Sequence, residues 1–207
     1  MLIQFKGNDD FSHTYLVWRF AQCVLIDPSH DLEKIQEKLV DKTLIAVILT
    51  HAHSDHVHLI GYFDCPIYIH QDDAQLLFED QYNGYTQGLK RPYKRKDLDL
   101  IITDGSDKIK LGEKNIILYH TPGHTKGGLS VFYDDMIFTG DTLFKGDVGR
   151  HDLYSGNLFE LKKSILYIID HFGSDTKVYP GHDEPSTIRS ERKNNPYYLK
   201  WAKQLKK

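Results

Sequence analysis

The stretch that most constrains this chain is an unbroken apolar run, Leu44-Ile45-Ala46-Val47-Ile48-Leu49, followed at once by Thr50-His51-Ala52-His53-Ser54-Asp55-His56-Val57-His58. Six aliphatic residues without polar alternation fit a strand buried on both faces rather than one with a wet side. Four of the chain's 12 histidines, at 51, 53, 56 and 58, then emerge from the C-terminal end of that strand. In extended backbone, side chains at i and i+2 share a face, so His51 and His53 can grip one ion. Asp55 and His56 follow a turn and point to a different spot, so one short loop can serve two adjacent ions.

The rest of the chain supplies a frame for that loop. Short apolar runs at 1–6, 14–20 and 23–26 predict meandering antiparallel strands, and Leu32, Ile35, Gln36 and Leu39 predict an amphipathic helix over 31–40. Cys65 to His70 predicts a strand. Asp72-Asp73 is expected to cap a helix carrying Ala74, Leu76, Leu77 and Phe78. Residues 80–98 combine Asn83-Gly84, Gly88 and Pro92 with Tyr82, Tyr85, Tyr93 and five bases, Lys90, Arg91, Lys94, Arg95 and Lys96. They predict a long loop of the kind that often serves a site. Strands resume at 99–102, 108–111 and 115–120, and Asp134-Asp135 turns between runs 129–133 and 136–139, so a second antiparallel sheet is expected. A helix over 157–170, a strand at 177–179 and a helical tail over 186–206, interrupted at Pro196, complete the chain. Strands then helix, twice over, predict two sheets packed together with helices outside, as one domain over 1–207.

With 207 residues, 40% of them hydrophobic, the chain can bury a sizeable core. A net charge of −3 gives no global reason to expect nucleic-acid or membrane partners, and no run approaches membrane-spanning length. The five bases near residue 90 are too few to reverse that expectation. The N-terminus lacks the pattern of a signal peptide, and Cys23 and Cys65 read as buried reduced thiols, so a cytoplasmic protein is expected. The expected partner is a small molecule. Nothing in the pattern speaks to oligomeric state.

Three more ligand candidates sit where a strand yields to a glycine-containing turn: His124 after Pro122-Gly123, Asp141 after Thr139-Gly140, and His182 after Pro180-Gly181. Two divalent ions need about eight to ten ligand atoms. His51, His53 and His124 on one ion, with Asp55, His56 and His182 on the other, leave Asp141 as a bridge and a water or hydroxide to complete both spheres. Mixed nitrogen and oxygen ligation suits zinc, with iron or manganese as alternatives. His13, His30, His70 and His171 lie outside such turns, His120 is assigned to packing or support, and His58 to the neighbourhood of the site.

This constellation resembles the metallo-β-lactamase superfamily, over nearly the whole chain. The resemblance implies an α/β fold, an αβ/βα four-layer sandwich of two mixed sheets with helices outside, and a dinuclear site along one sheet edge. It places His51, His53 and His124 at the first metal, Asp55, His56 and His182 at the second and Asp141 between them, with Asp55 and Asp141 the residues of catalysis. Asp27, in Leu25-Ile26-Asp27-Pro28, matches the superfamily's early aspartate beside the site. Gly140-Asp141-Thr142-Leu143-Phe144 through Gly149-Arg150, and the ending from Pro180-Gly181-His182 to Pro196, are similar to glyoxalase II-like hydrolases, especially short bacterial members without the helical C-terminal domain. In that group a base at the position of Arg150 helps bind glutathione, but the usual tyrosine two residues later is Asp152 here.

The resemblance implies hydrolysis of an S-lactoylglutathione-like thioester by a metal-bridging hydroxide formed near neutral pH. No Gly-x-Ser-x-Gly elbow is present to support a serine hydrolase. Rival expectations within the same fold are a persulfide dioxygenase-like enzyme with one iron, a lactonase and a phosphodiesterase.

Overall fold

The structure is a computed structural model that describes residues 1–85 and 89–205. Six strands form the first sheet in sequence order: β1 (Leu2–Phe5), β2 (Thr14–Arg19), β3 (Gln22–Ile26), β4 (Thr43–Ile48), β5 (Ile67–His70) and β6 (Leu100–Thr103). The first three pair antiparallel, as the short turns between them require, and β3 to β6 run parallel. The helix α1 (Leu32–Leu39) carries the chain back between β3 and β4. The sheet is thus mixed, and β4, the apolar run of the sequence, lies inside it.

The second sheet is ordered β14-β13-β10-β9-β8-β7. It contains β7 (Lys108–Leu111), β8 (Lys114–His120), β9 (Leu129–Tyr133), β10 (Met136–Gly140), β13 (Lys177–Pro180) and β14 (Ser186–Thr187). A small hairpin, β11 (Leu143–Phe144) and β12 (Asp147–Val148), follows β10. The one parallel pair, β10 with β13, spans the long helix α4 (Leu158–His171). Asn157 caps that helix through its side-chain oxygen, which accepts from the backbone N–H groups of Phe159 and Glu160.

Alternation along the strands divides the apolar residues among three layers. Val17, Val24, Ile26, Ala46 and Ile48 meet Leu118, Val131 and Phe138 between the sheets. Their neighbours Leu16, Leu25 and Val47 face Ile35 of α1 on one outer side. Ile137 and Val178 face Leu161, Ile165 and Ile168 of α4 on the other. This is the expected αβ/βα sandwich. Among the described residues no helix is long and apolar enough to cross a membrane. Both cysteines are free and buried.

Two local expectations change. Asp72-Asp73 does not start a helix: residues 71–75 are turns leading to a single 3₁₀ turn at Leu76–Phe78. The Asp73 carboxylate is drawn away to loops distant in sequence. The tail begins with β14, followed by α5 (Ile188–Asn194) and α6 (Pro196–Leu205). Pro196 opens a helix rather than merely interrupting one, since a first-turn position needs no N–H partner, and Asn195 caps it by accepting from Tyr197 N and Tyr198 N.

The 80–98 segment is partly tied down. It holds the single turn α3 (Asp80–Asn83), buried Tyr85 and Tyr93, and an Arg91 that donates to Asp80 and to the Tyr93 carbonyl. Residues 86–88 of this predicted loop, Gly88 among them, lie outside the described residues.

Candidate metal centre

β4 ends against the edge of the sandwich, and the Thr50 carbonyl accepts from Leu129 N at the start of β9, tying the histidine loop to the second sheet. His53 stays extended, at φ −70° and ψ 146°. Ser54–Val57 then form one helical turn, α2, which re-aims Asp55 and His56. From the second sheet, the turns after β8, β10 and β13 bring His124, Asp141 and His182 to the same edge. All seven residues singled out in the sequence as ligands meet there.

They meet in overlapping groups. His51, His53 and His124 form one, Asp55, His56 and His182 another, and His51, His56 and Asp141 lie between; within each group the donor atoms fall within 4.8 Å of one another. His53 Nδ1 lies 3.1 Å from His51 Nε2 and 3.0 Å from His124 Nε2, with the three rings nearly perpendicular. Asp141 presents Oδ1 to His56 Nε2 at 3.3 Å and Oδ2 to His124 Nε2 at 3.6 Å. Oδ2 also lies 3.8 Å from His182 Nε2, so the carboxylate stands between the two histidine groups, where a bridging ligand would sit.

Hydrogen bonds fix which ring nitrogens are free. The Thr50 hydroxyl donates to Asp27 Oδ2 at 2.6 Å, so at 3.1 Å it accepts from His51 Nδ1–H and leaves His51 Nε2 as a lone pair. His124 Nδ1–H donates to the Arg150 carbonyl at 2.8 Å, again freeing Nε2. His56 Nδ1–H donates to Asp27 Oδ2 at 2.8 Å. Asp27 sits at φ 50°, in the left-handed region that aspartate enters more readily than most residues other than glycine, and its Oδ1 accepts from Thr50 N. This one buried carboxylate thus orients ligands of both groups, in the way that carboxylates buttress metal-bound histidines.

The fit to cations follows from what the protein leaves unpaired. His53 Nδ1 can carry at most one hydrogen, so at least one of its two short contacts sets lone pair against lone pair. His56 Nε2 and Asp141 Oδ1 are buried and face each other at 3.3 Å without hydrogen-bond geometry. Tetrahedral nitrogens bound at about 2.0–2.1 Å lie roughly 3.4 Å apart, close to the spacing seen here. Burial and mutual repulsion hold His51 well below the ordinary imidazole range and His53 down to about 4, so both are neutral donors at neutral pH. Burial would also lower His56, but Asp141, Asp55 and Asp27 outweigh it and raise it well above that range. Desolvation opposes the ionised Asp141, yet His56, His124 and His51 carry it well below the usual carboxylate value. The site is built around positive charge.

Two close packings keep the turns small. Gly140 adopts φ 48°, and a Cβ there would meet Thr50 Cβ at 2.6 Å. A Cβ on Gly181 would lie 2.6 Å from His56 Cε1 and closer still to Asp141 Oδ1.

Five of the seven ligands, His53, Asp55, His124, Asp141 and His182, open onto a cleft of about 410 Å³ lined further by Tyr82, Asn83, Phe144, Arg150 and Leu153. Tyr82 stacks on Tyr154 at 4.0 Å, joining the 80–85 segment to the turn before α4. Arg150 lines the cleft but makes a double ion pair with Asp152, at 3.0 and 3.1 Å. None of the five bases of the 80–98 segment lines that cleft.

His58, whose buried Nδ1 has no hydrogen-bond partner, lies against Phe11 and Tyr85 and joins neither ligand group. In a further cluster, His70, Asp72 and His120, one nitrogen of each ring is committed: His70 Nδ1 accepts from Asp72 N and His120 Nε2 bonds the Lys126 carbonyl, while the two rings stack at 3.9 Å. His120 therefore packs, as expected. Asp73 and Leu153 carry no site signal in the sequence, and Tyr82 and Phe144 stand out there only as members of the 80–98 loop and of the Gly140 to Phe144 motif.

The chain matches the Metallo-beta-lactamase superfamily over residues 7–193. It is 37% identical over 185 residues to an uncharacterised protein of Aquifex aeolicus, covering 86% of each chain. It is 31% identical over 196 residues to the probable metallo-hydrolase YqgX of Bacillus subtilis, covering 90% of this chain and 92% of that one. Among solved structures it superposes on the B3 metallo-β-lactamase BLEG-1 with a TM-score of 0.86 at 29% identity, covering 96% of this chain and 99% of that one. For TTHA1623 in a di-iron-bound form the values are 0.79 and 27%, over 94% and 99% of the two chains. For ETHE1 from Myxococcus xanthus they are 0.74 and 26%, over 99% and 91%. With its fold, its converging ligand groups and these likenesses in agreement, the chain belongs to the metallo-β-lactamase superfamily.

Proposed function

We propose that this protein is a metal-dependent hydrolase of the glyoxalase II type, cleaving small thioesters. The observation that carries the reading is the convergence of two ligand groups around Asp141 at the floor of an open cleft. His51, His53 and His124 would hold one divalent ion, and Asp55, His56 and His182 the other, with Asp141 shared. Zinc is the first choice, and iron the alternative, since the similar TTHA1623 was solved in a di-iron form. Such ions lower the pKa of water into the neutral range and polarise a carbonyl, so no side-chain nucleophile is needed.

The chain's own groups do the rest. Asp27 fixes the ring orientation of His56 and, through Thr50, of His51. Phe144, Leu153 and Tyr82 offer apolar wall to the substrate. Arg150 is the cation placed to meet a substrate carboxylate, but Asp152 pairs with its Nε and Nη2 and offsets its charge, leaving only the Nη1 side for a substrate. Thioesters are therefore held mainly by their metal-bound end, with weak dependence on a glutathione carrier. A cytoplasmic setting is in keeping with two free thiols.

Steady-state kinetics on S-lactoylglutathione and on simpler thiol esters test this reading. Hydrolysis of both, with KM rather than kcat separating them, is expected, because carrier contacts equal in ground and transition states act on KM. Absence of thioesterase activity in the metal-loaded protein overturns it. A β-lactam belongs in the same panel as the second reading, favoured by the likeness to BLEG-1. Iron content with oxygen uptake would point instead to the single-iron oxidoreductase.

A further inference from the structure

Asp73 is a fully buried carboxylate that no step of the proposed chemistry uses. It follows β5, outside the seven ligands, and has no cation within salt-bridge reach among the described residues; its neighbour Asp72 takes Lys126 instead. Its two oxygens are divided between two loops. Oδ2 accepts from the backbone N–H of Ala52, the residue between His51 and His53, at 3.3 Å. Oδ1 accepts from the backbone N–H of Gly127, three residues past His124, at 2.7 Å. The approach is close enough that a Cβ on Gly127 would stand 2.6 Å from Oδ1. The turn at 71–75, in place of the helix expected there, is what delivers the carboxylate to this position.

We propose that Asp73 is the positioning residue of the first metal group, clamping the His51–His53 strand end and the His124 turn at the spacing one ion needs. The reasoning is one of donors and acceptors. Two buried N–H groups, on loops whose nearest backbone link is the Leu129 N to Thr50 carbonyl bond two residues away on each side, must each be satisfied, and a carboxylate is the side chain with an acceptor for both. A planar carboxylate also fixes the distance between the donors, so the separation of the two loops is set by a rigid group. Asp27 orients the rings of His51 and His56; Asp73 places the backbones that carry His51, His53 and His124. Nothing comparable links Asp73 to Asp55, His56 or His182, so the two metal sites should respond differently to its loss.

Asp73→Asn is the direct test. The amide keeps the shape but has a single acceptor oxygen, so one of the two N–H groups faces an NH₂ and its loop is released. Zinc is titrated into metal-free protein in competition with a chromophoric chelator, giving two dissociation constants, and His182→Ala identifies which step is the second site. The inference rests on reading His51, His53 and His124 as one ion's ligands, and wild-type protein that binds no zinc at that step would sink that reading itself.

Given wild-type binding, the expected result is a first-site constant weaker by about 10–100-fold in Asp73→Asn, in line with other supports of metal ligands. The second-site constant should stay within about threefold, with the metal-free protein still folded. Gly127→Ala, which forces the same carboxylate from the opposite side without removing it, should show the same asymmetry. Equal weakening of both sites, or an unchanged first site in a folded variant, overturns the assignment.

Discussion

Replacing Gly181 by alanine should disable the metal centre through geometry alone. The new methyl would lie 2.6 Å from His56 Cε1, where ordinary contact begins near 3.4 Å, so the ring would have to retreat by about 0.8 Å. Retreat is blocked, because His56 is fully buried and its other nitrogen is held by Asp27 at 2.8 Å. Asp141 Oδ1, nearer still to the methyl, cannot move without giving up its place between the two groups. Metal sites tolerate ligand displacements of about 0.2 Å, and a misplacement of roughly 1 Å in a catalytic constellation costs on the order of 10²-fold in rate. Overpacking at this point should cost about 1–3 kcal/mol, or roughly 2–12 °C in Tm for a chain of this size. The assay pairs zinc content after dialysis with thioester turnover and a thermal melt. We expect a folded variant with the second site weakened and turnover down about 100-fold. A variant that keeps both ions and turns over within about threefold of wild type would show that the turn yields where the packing says it cannot.

Two further outcomes follow from the electrostatics of the site. Asp141→Ala should lower turnover by about 10²-fold or more while shifting the melt of metal-free protein by no more than a few degrees, since it removes charge from a turn rather than volume from the core; activity above a few per cent would make the bridge assignment wrong. In metal-free protein, burial and the neighbouring His124 hold the folded-state His53 near 4 against about 6.5 unfolded. The unfolded chain therefore binds the extra proton between those values, and stability should fall as the pH drops through that window. His53→Gln should flatten this acid limb, and an unchanged slope in the variant would remove His53 as its source. His56, raised well above 6.5 by its three carboxylates, contributes in the opposite sense: its stabilisation is present below 6.5 and is lost as the pH rises through its folded value.

How far the sequence reveals this molecule depends on whether each feature is local. β4 is legible because a strand buried on both faces has to be apolar at every position, and residues 44–49 are. His51, His53, Asp55 and His56 are legible because a single loop sets their spacing. His124, Asp141 and His182 are legible as a set, since each follows a strand and a glycine, and Gly140 and Gly181 prove to be small because Thr50, His56 and Asp141 press on them. Asp73 is not legible. An aspartate before Ala74, Leu76 and Leu77 has every local mark of a helix cap, and only the fold reveals the Gly127 N–H, 54 residues away, that claims its oxygen. The same limit applies to Arg150, whose charge is visible in the sequence while its engagement by Asp152 is not.

The most direct measurement is metal stoichiometry against turnover: zinc added stepwise to metal-free protein, with bound metal and thioester hydrolysis followed together. Two ions bound per chain are expected, with full activity reached on binding of the second. Full activity at one ion per chain, or two ions bound with no hydrolysis of any thioester, would contradict it.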